Sequence, residues 1–242
     1  MAPGLNGSAM LRQVRERMES LASPAGAEFA LRYFKTGPGQ YGEGDRFMGI
    51  SAKPMKALAR EFQGLDVRDL NALLGSPWHE QRMLALLVMV RRHSRGDPAE
   101  RDEMHRLYVG STNRVNNWDL VDASASQLVG AHLAQGDDLS LLDRLAASEA
   151  LWERRISIVA THYFIRAGHP APTLHVAGLL LADRHDLIHK ATGWMLREVG
   201  KRDREALEGF LREHHRTMPR TMLRYAIERF PEPLRQQYLA GL

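Results

Sequence analysis

Residues 116–122, NNWDLVD, set a tryptophan and two aspartates into an otherwise apolar helical run. In a helix Trp118 and Asp122 are four apart and share a face. An indole and a carboxylate would therefore meet whatever lies against that face. Asn116 or Asn117 would cap the helix, and Asp119 in its first turn would favour the positive end of the helix dipole. That accounts for Asp119 but not for Asp122, which follows a turn later between Val121 and Ala123. An acid there is costly unless it is paired, hydrogen-bonded or bordering a wet cleft. Its structural reading is a bridge to an arginine of a neighbouring repeat. Its functional reading is a carboxylate that borders a wet cleft.

Two further stretches carry cations beside tryptophan. In Trp152-Glu153-Arg154-Arg155 the two arginines point in different directions on a helix. One can face solvent and the other a groove, where a guanidinium would grip a phosphate with two parallel hydrogen bonds. An inter-repeat salt bridge is the alternative. In HKATGWMLREVG, Lys190, Trp194 and Arg197 fall at i, i+4 and i+7, a single stripe suited to a nucleic-acid backbone. A buried tryptophan with snorkelling Lys and Arg stems is the alternative. Gly193 inside that helix costs about 1 kcal/mol against alanine, so it implies close approach of another backbone or a ligand.

Other chemistries find little support. His185 and His189 are four apart, but no HExxH and no third ligand accompany them, so no metal is expected. GxxxxGK[ST], GxSxG and strand-borne GxGxxG are absent, and with them the signatures of nucleotide hydrolysis and serine-hydrolase chemistry. The chain has no cysteine, which excludes disulfides and thiolate nucleophiles and fits a reducing compartment.

The elements that must hold these residues read as helices. Asp97-Pro98-Ala99-Glu100 has a capping acid, proline at the first helical position and glutamate at N3. Ser76-Pro77 is expected to open another helix in the same way, and Asp66 and Asp203 to cap two more. About a dozen helices with short connections are expected, an all-α fold. SPWHEQRMLALLVMV, NNWDLVDASASQLVG, ALWERRISIVATHYF, DLIHKATGWMLREVG and TMPRTMLRYAIERF share one design, a polar or aromatic opening, a basic residue and an apolar stretch. Trp78 to Trp118 is 40 residues and Trp118 to Trp152 is 34, the spacing of paired-helix repeats of the HEAT type. Such an α-α superhelical solenoid lines one concave surface with the second helix of each pair, so equivalent repeat positions would meet in one basic groove.

Residues 35–50, KTGPGQYGEGDRFMGI, contain five glycines and a proline and cannot form a regular helix. The stretch is either an exposed connector or a loop at the mouth of a groove, where Tyr41, Glu43 and Asp45 would contribute.

The 242 residues are read as a single HEAT-like repeat domain, with residues 1–9 as a flexible tail and 36–46 as a Gly-rich inserted loop. The opening MAPGLNGSAM lacks a basic and an apolar region and is not expected to be a signal peptide. No window approaches the ~18 unbroken apolar residues needed to cross a bilayer. The 33 Lys and Arg against 29 Asp and Glu leave a formal charge of +4, which permits an anionic partner without demanding one.

LRYFKTG…FMGI, NNWDLVD, LWERR and HKATGWMLREVGK, in this order and spacing, resemble the DNA alkylation repair glycosylases of the AlkD-like family. The resemblance runs from about Tyr33 to the C-terminal TMLRYAIERF. It implies a HEAT-like solenoid that excises cationic alkylated purines, of the 3-methyladenine and 7-methylguanine type, from double-stranded DNA. It places the aromatic–carboxylate site on Trp118 and Asp122, a second tryptophan on Trp194, a backbone-contacting arginine on Arg155 and an N-terminal tyrosine on Tyr33. Lys190 and Arg197 are weaker DNA-contacting candidates. It implies no cofactor, no metal, no membrane, a monomer and a cytoplasmic location. It further implies that the lesion stays stacked in the duplex. The Gly-rich loop just after Tyr33 departs from the family pattern. A non-catalytic DNA-binding solenoid that recognises damaged or branched DNA, and a protein-interaction scaffold, are the competing readings.

Overall fold

The structure, a computed structural model, describes residues 8–241. It is all-helical, with no strand among the described residues. The chain falls into two compact units, the first ending at Ser124 and the second beginning at Ala125.

The first unit contains α1 (Ala9–Glu19), α2 (Pro24–Tyr33), α3 (Ala52–Glu61), α4 (Val67–Leu74), α5 (His79–Arg95), α6 (Pro98–Val109) and most of α7 (Trp118–Ala125). Of the tail expected at residues 1–9, residues 1–7 lie outside the described residues. Ser8 instead caps α1, accepting from the Leu11 amide at 3.0 Å and donating to Asp69. Asp66 and Asp97 cap α4 and α6, accepting from the amides of Asp69 at 2.8 Å and Glu100 at 2.9 Å. Helix α5 forms the centre and packs against α3, α4 and α6. Its Leu84, Leu86, Val88 and Met89 are completely buried, and each contributes about 1.5–3 kcal/mol by leaving water.

The helix expected to open at Ser76-Pro77 opens two residues later, at His79. Backbone pairing with the Gly-rich loop is the cause. Arg46 donates to the Pro77 carbonyl at 3.4 Å and accepts from the His79 amide at 2.8 Å, which holds residues 77–78 extended.

The second unit contains a π-helical turn (Ser126–Gly130) followed by α8 (Ala131–Leu133), α9 (Ser140–Ala146), α10 (Leu151–Ala160), α11 (His162–Arg166), α12 (Ala171–Leu179), α13 (Asp186–Gly200), α14 (Arg204–His214), α15 (Arg220–Ala226) and α16 (Glu232–Ala240). The sixteen α-segments among the described residues exceed the expected dozen, partly because α10 and α11 are separated only by a break at Thr161. Helix α13 packs against α10, α12, α14 and α15. A side chain at Gly193 would place its Cβ 2.5 Å from the Met222 carbonyl of α15, the close backbone approach expected of that glycine. Asp203 caps α14 through the Ala206 amide at 2.9 Å. The five repeat openings read from the sequence lie at, or up to three residues before, the starts of α5, α7, α10, α13 and α15.

Candidate functional site

Helix α7 begins on Asn117, whose side chain is wholly buried. Its Oδ1 accepts from the Trp118 amide at 2.8 Å and its backbone carbonyl from Val121 at 3.2 Å. Its Nδ2 points at Asp45 at 3.4 Å. The cap thus belongs to a larger buried set rather than to α7 alone.

Trp118 is half-buried among rings. It stacks on Phe34 with ring centroids 5.4 Å apart and meets Tyr33 edge-on at 5.9 Å. Its indole N–H donates to the Tyr41 hydroxyl at 3.2 Å. Tyr33 itself is 52% exposed at the end of α2. Of the tyrosines, then, two reach Trp118, one expected from the resemblance and one from the Gly-rich loop. Asp122, one turn along α7, is half-buried. Its negative charge and, more strongly, burial raise the pKa of the Tyr108 hydroxyl, which accepts from Ser124 at 3.1 Å.

Asp119 has a second partner that its place in the first helical turn did not reveal. The His79 Nε2–H donates to it at 2.8 Å, and Nδ1 faces Asp45 at 3.4 Å. Arg82 closes the set, donating to Asp45 at 2.6 Å and to the Ser76 carbonyl at 2.9 Å. Burial alone would push the His79 pKa down, but the hydrogen bonds to Asp119 and Asp45 outweigh it and carry the value up to about 9. Burial likewise opposes ionisation of Asp45, and the His79 hydrogen bond and the Arg82 charge overcome it, holding the carboxyl below its ordinary value. Two acids and two cations thus neutralise one another inside the first unit.

Glu80 is buried too. Its two oxygens accept from the amides of Met48, Gly49 and Ile50 at 2.8, 2.7 and 3.3 Å. Gly49, at φ 77°, supplies the left-handed backbone that brings these donors round. The Gly-rich stretch is therefore no free connector: Tyr41, Asp45 and residues 48–50 are each tied to α5 or α7. The sequence signal for this was the polar run His79-Glu80-Gln81-Arg82 at the head of an apolar helix, all four of them buried.

Beside this set lies a cleft of about 590 Å³, lined by Phe29, Tyr33, Phe34, Phe47, Met55 and Asp119 among others.

In the second unit the structure binds the expected DNA-contacting cations into the protein. Arg155 is 5% exposed and donates to the Leu187 carbonyl at 2.7 Å. Arg154 donates to Asp183 at 2.6 Å and to the carbonyls of Ser148 and Glu149, so the inter-repeat tie describes Arg154. Lys190 pairs with Asp186 at 2.6 Å, and Arg197 pairs with Glu228. Trp194 is half-buried, 5.9 Å from the His162 ring. His185 accepts from the Leu187 amide at 3.2 Å and His189 donates to the Asp183 carbonyl at 2.6 Å, structural roles for both.

This geometry defines a helical-repeat protein with a tryptophan and an acid on one short helix and a polar set buried beneath it. The chain belongs to the DNA alkylation repair enzyme family, whose sequence profile matches residues 14–230. Its role therefore lies in the repair of alkylated DNA. Among solved structures, a protein from Enterococcus faecalis described as a predicted DNA alkylation repair enzyme superposes with a TM-score of 0.67 at 19% identity, covering 87% of this chain and 97% of its own. The smu.31 protein from Streptococcus mutans UA159 superposes with a TM-score of 0.54 at 15% identity, covering 93% of this chain and 100% of its own. At these identities the likeness carries the fold. No curated protein matches the chain.

Proposed function

We propose that this protein is a DNA glycosylase of the AlkD-like type, which hydrolyses the N-glycosidic bond of cationic alkylated purines in duplex DNA. The observation that carries the reading is Trp118, set among Tyr33, Phe34 and Tyr41, on the same short helix as the half-buried Asp122. A purine alkylated at N3 or N7 is positively charged and already a good leaving group. The electron pair of the breaking bond neutralises it, so no proton need be delivered. The deoxyribose becomes oxocarbenium-like, and the Asp122 carboxylate stabilises that charge and orients the water that adds to it. Rings beside the site offer their negative faces to the cationic nucleotide and exclude water, which strengthens the carboxylate's effect.

The remaining assignments rest on the resemblance. Trp194 serves as the second ring, Arg155 as the main backbone contact, and Lys190 and Arg197 as secondary ones, with residues 1–242 working as a single repeat domain and a monomer in the cytoplasm. Because Asp122 gives no help to a poor leaving group, neutral lesions such as uracil are poor substrates.

The test is incubation of purified protein with methylated duplex DNA and chromatography of the released bases. Free 3-methyladenine or 7-methylguanine is expected. Duplex binding without base release would instead make the protein a non-catalytic reader of damaged DNA.

A further inference from the structure

The cleft in the first unit continues into a cationic stripe. Lys56 and Leu87 line both the aromatic cleft and an adjoining hollow that also contains Arg60 and Arg91. Lys53, Lys56 and Arg60 follow one another on α3 at i, i+3 and i+7, one face of that helix. All three are exposed, and none has an acidic partner among the described residues. Glu61, the one acid of α3, is about 100° round the helix from Arg60. Like charges at this spacing repel and weaken the helix. Lys190 and Arg197, by contrast, are both paired.

The cleft beside the stripe has the complementary character. Phe29 is 62% exposed and stacks on Tyr33 with centroids 5.6 Å apart, so two large rings face solvent on adjacent turns of α2. Exposed rings next to unpaired cations are how proteins hold single-stranded nucleic acid, with bases against the rings and phosphates on the charges. Asp119 lines the cleft and retains 18% side-chain exposure, an acceptor that suits a ligand bringing N–H donors such as a base amino group.

We infer that this cleft binds an unpaired nucleotide of a DNA strand, its base against Phe29 and Tyr33 and the flanking phosphates against Lys53, Lys56 and Arg60. From Lys53 to Arg60 the helix rises about 10 Å, which spans about three phosphates at a strand rise of about 3.4 Å. A paired base presents only its edge and cannot enter an aromatic cleft, so the site selects looped-out or single-stranded positions. The site lies within the first unit and does not require Asp122 to act.

The test is fluorescence anisotropy of a labelled single-stranded 12-mer, with a blunt duplex for comparison, at several salt concentrations. Wild-type protein is expected to bind the single strand with a steep salt dependence. The Lys53→Gln/Lys56→Gln/Arg60→Gln variant, altered only at exposed positions, is expected to lower that slope by about 2, at about 0.7 per phosphate contact. Phe29→Ser should weaken single-strand binding about five-fold or more while leaving the slope unchanged. An absence of single-strand binding, or equal binding by the wild type and the triple variant, overturns the inference. Base release from methylated duplex, measured on the same preparations, reads the proposed glycosylase activity separately. Excision without single-strand affinity sinks only this inference, and single-strand affinity without excision sinks only the glycosylase.

Discussion

His79 donates to Asp119 at 2.8 Å across 40 residues of sequence, so the helix carrying Trp118 and Asp122 starts on a buried ion pair. The charged state of that histidine is a condition for the geometry of the site. Folding raises its pKa from the ordinary 6.5 to about 9, so the ion pair contributes in full below about pH 6.5 and is lost as pH rises through about 9. The difference is on the order of 3 kcal/mol. Urea unfolding of wild type and His79→Gln at pH 6.5 and pH 9.5 measures it. The gap between the two proteins is expected to shrink markedly at the higher pH, and an unchanged gap would show that His79 is neutral in the fold.

Asp122→Asn keeps the shape of the side chain and removes its charge. Single-turnover excision of 7-methylguanine is expected to fall at least about ten-fold, in line with the loss of one transition-state electrostatic contact. Duplex affinity should survive, because an aspartate repels phosphates and its removal costs no backbone contact. Unchanged single-turnover rates would remove Asp122 from the mechanism.

What the sequence disclosed is what local chemistry decides. Asp66, Asp97 and Asp203 were legible as caps because capping needs only a short side chain three residues before a free amide. Gly193 was legible because a glycine inside a helix is unfavourable without a close neighbour, and α15 is that neighbour. NNWDLVD stood out because an acid in an apolar run demands a partner or a function. The His79–Asp119–Asp45–Arg82 set stayed hidden because its members come from α5, α7 and the Gly-rich loop, and only packing unites them. Asp119 was legible only in part: it does stand in the first turn of α7, but that local account sufficed and gave no hint of His79. The start of α5 was misplaced because the backbone of Arg46, thirty residues upstream, outweighs the Ser-Pro signal. The cations around Trp194 could be read as one stripe, but their pairing with Asp186 and Glu228 depends on geometry that spacing leaves open.

Arg155→Ala tests whether a buried arginine also serves DNA. The variant loses the bond to the Leu187 carbonyl and the packing of a buried side chain, so the unfolding midpoint is expected to drop, by about 1–3 kcal/mol in stability. If Arg155 also contacts a phosphate, as the resemblance implies, the slope of log affinity against log salt for duplex DNA falls by about 0.9. A stability loss with an unaltered slope assigns the residue to holding α10 against α13 alone.

Gly193→Ala sets two effects of opposite sign against each other. Alanine is the better helix former by about 1 kcal/mol. Its Cβ, however, would lie 2.5 Å from both the Met222 carbonyl and the Tyr225 Cβ, neither of them the loose end of a flexible chain. Forcing α15 away from α13 costs about 1–3 kcal/mol, so the strain prevails and the variant is expected to unfold at lower urea. Because Trp194 is the next residue, the same shift moves its indole. Its fluorescence maximum should therefore change in the variant, and excision should fall if Trp194 lies against the nucleotide. A variant as stable as the wild type would mean that the strain only cancels the gain of about 1 kcal/mol in helix propensity, and a more stable one that α15 can give way and Gly193 is not required for the approach.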